Sequence, residues 1–211
     1  MAHTLSTECD TAFRISLDVR SIHLTEEQFY LLCRDNRDLR LELSAEGELV
    51  IMPPTYTDTG WRCSRITRRL DEWAEKDGTG TSYGSSTGFT LPNGAKRSPD
   101  ASWISHRRWQ NLKPEDREKM ARICPDFVVE LRSVTDRLSD VKKKMTEYIQ
   151  NGARLGWLLD TIDKRVYIYR PRRPVQCLEN PDFLSGEDVL PGFRFNFQEI
   201  LFKVLRLEKQ R

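Results

Sequence analysis

Apolar positions recur along this chain with two periods, and the alternation between them lays out the elements. Thr25-Glu26-Glu27-Gln28 opens a short helix running to about Arg34, with Thr25 as N-cap and Gln28 three residues on. Two strands follow, Leu39 to Leu43 and Leu49 to Met52, joined at Glu46-Gly47 and ended by Pro53-Pro54. From Thr59 to Lys76, Trp61, Ile66, Leu70 and Trp73 fall at helical spacing, and Asp77-Gly78 stops the helix. Strands around Thr81 to Thr90 and Ala101 to Ile104 flank a turn at Pro92-Asn93-Gly94, and the charged stretch His106 to Arg122 holds a short helix or two. Asp126 to Leu131 is a β-branched and aromatic run behind Pro125, the pattern of an interior strand. A helix from Leu138 to Gln150 is capped at Asn151-Gly152, and strands Leu155 to Asp160 and Arg165 to Tyr169 come next. The tail, with Leu190-Pro191-Gly192 before Phe193, reads as a β-rich cap closed by a short helix at Gln198 to Val204. The order predicts an α/β (α+β) fold, a mixed sheet with helices packed on it.

The interior strand carries an anomaly. Glu130 sits inside Phe127-Val128-Val129-Glu130-Leu131, and an ionised carboxylate buried there costs several kcal/mol or more unless a cation compensates it. Thirty positions earlier, Ser98-Pro99-Asp100 enters the strand Ala101 to Ile104. Two carboxylates at the ends of neighbouring strands can chelate one hard divalent cation through oxygen. Such a cation activates water and stabilises phosphoryl charge, so phosphodiester hydrolysis is the natural chemistry. A lysine should complete the site. The expected position, two after Glu130, is Arg132, a poor proton shuttle because it stays protonated. The helix 138 to 150 offers Lys142, Lys143 and Lys144. Its apolar face centres on Val141, Met145, Tyr148 and Ile149, so Lys143 points away while Lys142 and Lys144 flank the face. Periodicity leaves those two open.

Each candidate has a plainer reading. Asp100 after a proline can cap a turn. Asp126 shares strand parity with Glu130 and rivals Asp100 as a ligand, but its place at the strand start reads as a solvent-exposed turn. Asp58 opens the long helix as an N-cap or an additional site acid. Arg132 can pair with Glu130 in an inert core network. Arg62, Arg65 and Arg69 form a stripe that could touch phosphates or be wet surface. Arg170, Arg172 and Arg173 form the densest basic cluster, a phosphate-contacting loop or a solubilising one. Trp103, Trp109 and Trp157 read as core or interface anchors.

Composition narrows the rest. With 211 residues and 38% hydrophobic content the chain can bury a core. Against 32 acids, 34 Lys and Arg give a net charge of only +2, so any nucleic-acid surface is local. Five scattered cysteines without a Cys-x-x-Cys pair, and three histidines without ligand spacing, speak against disulfide frameworks, zinc sites and Ser-His-Asp chemistry. No apolar stretch is long enough for a membrane span, and a cytoplasmic location is expected.

Several blocks together carry a family resemblance: Ser98-Pro99-Asp100, Pro125 through Ser133, Lys144-Met145-Thr146-Glu147-Tyr148 and Asn151 through Leu158, with Glu42, Ser85 through Phe89, and Leu184 through Pro191-Gly192. Over residues 25 to 200 the chain resembles the Uma-two family, restriction-endonuclease-like proteins of bacteria within the PD-(D/E)XK nuclease superfamily. The resemblance implies a restriction-endonuclease-like core with a β-rich C-terminal extension. It also implies a Mg²⁺- or Mn²⁺-dependent nuclease acting on nucleic acid, DNA first, and a homodimer. It carries Asp100 and Glu130 over as metal ligands, with the Leu131 carbonyl beside them. It selects Lys144, four residues before a tyrosine, as the catalytic lysine. The expected organisation is an extension over 1–24, a single domain over 25–205 and a tail over 206–211. The alternative is a catalytically degenerate member acting as a non-enzymatic nucleic-acid-binding or scaffold protein, a reading that Arg132 favours.

Overall fold

The computed structural model describes residues 15–52 and 54–201. The expected extension up to residue 14, Pro53, residues 202–204 of the closing helix and the tail 206–211 lie outside the described residues. In chain order the elements are β1 (Ile15–Asp18), α1 (Glu26–Asp35), β2 (Arg40–Leu43), β3 (Glu48–Met52), α2 (Thr57–Asp77), β4 (Gly80–Gly84), β5 (Phe89–Thr90), β6 (Lys96–Arg97), β7 (Ala101–Ser105) and α3 (His106–Gln110). They continue with β8 (Phe127–Leu131), α4 (Leu138–Gln150), β9 (Leu155–Asp160), β10 (Arg165–Tyr169), β11 (Gln176–Glu179), β12 (Phe183–Ser185) and β13 (Arg194–Asn196).

A six-stranded mixed sheet in the order β11-β10-β9-β8-β7-β4 forms the frame. β8 and β9 run parallel, with Glu130 opposite Leu158, and α4 makes the crossover between them; the other neighbours are antiparallel. Alternation along β8 sends Phe127, Val129 and Leu131 to one face and Val128 and Glu130 to the other. The first face packs on α2 and the C-terminal segment through Leu70, Trp103, Trp157, Phe193 and Phe195. The second packs on α4 through Val141, Met145 and Tyr148. Gly156 permits that close approach, since a Cβ there would lie 2.5 Å from Met145 Cε. Glu130 therefore faces α4, and this fixes which helix can supply its partner.

A second sheet, β1-β3-β2-β6-β5, packs on α1 through Phe29, Leu41, Leu43 and Leu49. α1 carries the predicted capping box, with Thr25 Oγ1 accepting from the Gln28 N–H and Gln28 Oε1 accepting from the Thr25 N–H. α2 ends at Gly78, whose φ of 69° is the left-handed cap that glycine adopts at low cost. Two expectations change. Residues 15–18, placed by sequence in the extension, pair with β3 as an edge strand. The strand expected over Thr81 to Thr90 is broken at residues 85–88 into β4 and β5, which belong to different sheets. Cys33, Cys63, Cys124 and Cys177 are free. Among the described residues, no helix is long and apolar enough to cross a membrane.

Candidate active site

Four elements converge on one small cleft of about 110 Å³, lined among others by Glu42, Asp100, Glu130, Leu131 and Lys144. β8 contributes Glu130 near its C-terminal end, and Asp100 stands at the entrance to the adjacent β7. The Leu131 N–H donates to Asp100 Oδ2 at 2.8 Å, tying that carboxylate to the strand that carries Glu130. α4 presents Val141, Lys144, Met145 and Tyr148 toward the sheet at i, i+3, i+4 and i+7. Lys144 Nζ lies 2.9 Å from Glu130 Oε1 and 2.9 Å from Glu42 Oε1. The Tyr148 hydroxyl donates to the same Glu130 oxygen at 2.9 Å. Asp100, Glu130 and Lys144 thus line one cleft, and Lys142 does not.

β2 supplies Glu42, which the sequence named within the resemblance but gave no part in the site. Glu42 is fully buried and accepts from Lys144, from the Ser98 N–H at 2.9 Å and from Arg97 at 3.3 Å. Arg97 also donates to Glu147 at 2.6 Å. Arg40 reaches the Ser98 carbonyl at 2.7 Å and stands 3.8 Å from Asp100 Oδ1. Between Leu41 and Leu43, Glu42 falls on the polar side of β2, where Lys144, Arg97 and the Ser98 N–H take the place of water.

The two glutamates that share Lys144 settle differently. Burial works to raise Glu42, but Lys144, Arg97 and the Ser98 N–H outweigh it and hold Glu42 well below the usual carboxylate range. Burial pushes Glu130 up to about 7; Lys144 opposes this, while the charges of Asp100 and Glu42 add to it. Burial raises Asp100 as well, with Arg40 and the Leu131 N–H opposing. Burial would lower Lys144, yet Glu130 and Glu42 prevail and raise it, so the ammonium stays charged.

Four carboxylates (Glu42, Asp100, Glu130, Asp136) and two cations (Arg40, Lys144) line the cleft. Among the described residues no group of three or more His, Cys, Asp or Glu could hold a metal. Acids outnumber bases along this cleft, and Asp100 and Glu130 are the kind of hard oxygen donors of which a water-retaining divalent cation needs one or two.

Other candidates lie elsewhere. Asp126 is fully buried, not solvent-exposed: it sits before the start of β8, accepts from the Ser105 N–H and hydroxyl at 2.9 and 3.1 Å, and lies 3.2 Å from Arg108. Arg132 does not pair with Glu130; having passed the end of β8, it reaches Asp160 at 2.7 Å and Asp163 at 2.9 Å. Asp58 stands 4.0 Å from Arg62 and is not among the residues lining the cleft. Arg62 donates to the Ile200 carbonyl, and Arg65 and Arg69 pair with Glu199, so this stripe fastens the C-terminal segment. Arg170 clasps Glu187. Lys142 sits 4.0 Å over the Tyr167 ring. Trp103 and Trp157 are core residues, and Trp109 packs against the α4-side core.

A model of the Uma2 family, described as "putative restriction endonuclease", matches residues 26–198. The chain belongs to the Uma2 family. A solved structure described as a "putative nuclease belonging to DUF820", from Anabaena variabilis, matches with a TM-score of 0.64 at 17% identity, over 76% of this chain and 89% of that one. The likeness concerns the fold: this Uma2 protein has the restriction-endonuclease-like architecture, a mixed sheet flanked by helices and extended by β-structure at its C-terminal end. No curated protein matches the chain.

Proposed function

We propose that this Uma2 protein is a metal-dependent endonuclease of the PD-(D/E)XK type that hydrolyses phosphodiester bonds of nucleic acid, DNA in the first instance. The observation that carries the reading is the convergence of Asp100, Glu130 and a charged Lys144 on one cleft, with Lys144 Nζ 2.9 Å from Glu130. Asp100 and Glu130, with the Leu131 carbonyl, would hold Mg²⁺ or Mn²⁺, which supplies Lewis acidity and a more acidic bound water. Tyr148 fixes one oxygen of Glu130 and leaves its other oxygen for the ion. Lys144 is kept protonated by its two glutamates, so its role is electrostatic. It donates to the attacking water or to the phosphoryl oxygens as charge develops, and it does not abstract a proton.

In this reading residues 25–205 work as one unit in the cytoplasm, as a homodimer. The half-exposed Ile15 and Leu17 on the edge strand β1 give pairing an apolar surface. A second reading, a degenerate member that binds without turnover, is favoured by one observation: the side chain at the usual lysine position is Arg132, committed to Asp160. Cleavage of supercoiled plasmid in Mg²⁺, Mn²⁺ and EDTA separates the two. Wild type should nick or linearise DNA only with metal, and Asp100→Ala and Lys144→Ala should not. Equal activity in all three proteins would trace cleavage to a contaminant and remove the enzyme reading.

A further inference from the structure

The cleft around Glu130 opens into two larger hollows, and their linings differ in chemistry. Past Thr135 and Lys144 lies a hollow of about 820 Å³. Its four basic side chains, Arg97, Arg137, Lys143 and Lys144, are matched by four acids, Glu46, Glu48, Asp140 and Glu147. Two of the bases are committed to ion pairs, Arg97 with Glu147 and Lys144 with Glu42. A polyanion entering here gains little net charge attraction.

The other exit passes Arg40, Thr55 and Asp100 into a groove of about 700 Å³ between α2 and the turn after β4. Gly60, Ser64, Thr67 and Arg68 share one face of α2, beside the apolar stripe of Ile66 and Leu70 that faces the core. Across from them, the Thr87 N–H closes a turn onto the Gly84 carbonyl at 3.0 Å and presents Ser85, Ser86 and Thr87. Six hydroxyls, those of Thr55, Ser64, Thr67, Ser85, Ser86 and Thr87, line the groove. Among the described residues Arg68 pairs with Glu72, an exposed i,i+4 pair that contributes little and yields readily to a better partner. A Cβ at Gly60 would meet nothing within 4 Å, so the helix wall is open there to a close-lying ligand. Among the described residues the one acid lining the groove is Asp100, which also lines the cleft.

Neutral hydroxyl donors with arginine and little acid are the side chains that contact sugar and phosphate, the part of a nucleic acid that takes most protein hydrogen bonds and carries no sequence information. We infer that this groove, and not the larger hollow, carries the strand leading away from the reacting phosphate, gripping its sugar–phosphate backbone through Arg68 and the hydroxyls. The inference rests on the nuclease reading and extends it. The substrate is a polynucleotide whose neighbouring phosphates are bound, and binding in the groove tolerates any sequence.

The test is fluorescence anisotropy of short labelled DNA and RNA oligonucleotides in EDTA, paired with cleavage of the same oligonucleotides in Mg²⁺. The proteins are wild type, the Ser64→Ala/Thr67→Ala double variant, Arg68→Ala, Ser86→Asp and the Arg137→Ala/Lys143→Ala double variant. For whichever oligonucleotide wild type binds, the groove variants should each weaken binding about tenfold, alike for unrelated sequences. Arg68→Ala should also flatten the salt dependence by about one phosphate contact. The Arg137→Ala/Lys143→Ala variant should bind within about twofold of wild type. Ser86→Asp, on an exposed turn outside any helix, keeps the test decisive if the α2 variants fail to fold. Wild-type binding and cleavage in all groove variants would overturn the groove assignment and leave the nuclease reading standing; so would loss confined to the Arg137→Ala/Lys143→Ala variant. A wild type that neither binds nor cuts any oligonucleotide would remove both.

Discussion

Replacing Glu130 with glutamine should stabilise the metal-free protein at alkaline pH. Glu130 is 7% exposed, and the ammonium nearest to it is shared with Glu42. Burial, with the charges of Asp100 and Glu42 adding, lifts it from the ordinary 4.5 to about 7 against the pull of Lys144. At about 1.4 kcal/mol for each pH unit, holding this carboxylate ionised costs the fold on the order of 3 kcal/mol. The folded protein binds this proton more tightly than the unfolded chain does. The cost is therefore absent below about 4.5, grows as pH rises to about 7 and is constant above. Glutamine keeps an oxygen for the Tyr148 hydroxyl and for Lys144 while removing the charge. Urea denaturation in EDTA should then show Glu130→Gln more stable than wild type by about 2–3 kcal/mol at pH 8, with a melting temperature higher by on the order of 5–10 °C. The gain should shrink to under about 1 kcal/mol near pH 5 and vanish below about pH 4. Added Mg²⁺ should stabilise wild type and leave the variant unchanged. A variant less stable than wild type at pH 8 would mean that Glu130 is already well compensated in the fold, and the argument for a cation there would fail.

Other outcomes follow from the same geometry. Lys144→Ala should lower cleavage by about 10²–10³-fold and, by stranding Glu42 and Glu130, destabilise the fold by about 3–5 kcal/mol, as gel assays and denaturation would show. Asp126→Asn should cost about 1–3 kcal/mol of stability by weakening its bonds to Ser105 and Arg108, while Mg²⁺-dependent cleavage by the folded variant stays at the wild-type rate. Arg132→Lys added to Lys144→Ala should restore no cleavage, because residue 132 is directed at Asp160 and Asp163; recovered activity would show that it can reach the reacting phosphate.

The parts of this molecule legible in the sequence are those governed by local periodicity. The run Phe127 to Leu131 is the central strand, Leu138 to Gln150 is a helix with those bounds, and the turn chemistry at Thr25 and Gly78 appears as read. Glu130 was visible because a carboxylate in such a run needs a partner. Lys144 was not separable from Lys142 by helical phase alone, since both flank the apolar stripe; only the sheet's position decides that Lys142 packs over Tyr167 while Lys144 points to Glu130. Glu42, Arg40 and Arg97 received no site role because their partners, Lys144, Asp100 and Glu147, lie on distant elements and leave no periodic trace in either segment. Asp126 was misread for a related reason: the Ser105 N–H and hydroxyl that satisfy its carboxylate lie 21 positions away on another strand.

Anomalous scattering from crystals soaked in Mn²⁺ tests the central claim most directly. The account predicts one strong peak in the cleft, within coordination distance of a carboxylate oxygen from each of Asp100 and Glu130 and of the Leu131 carbonyl, and lost in Glu130→Gln crystals. An empty cleft in fully soaked crystals, or a peak that persists unchanged in the variant, would contradict it.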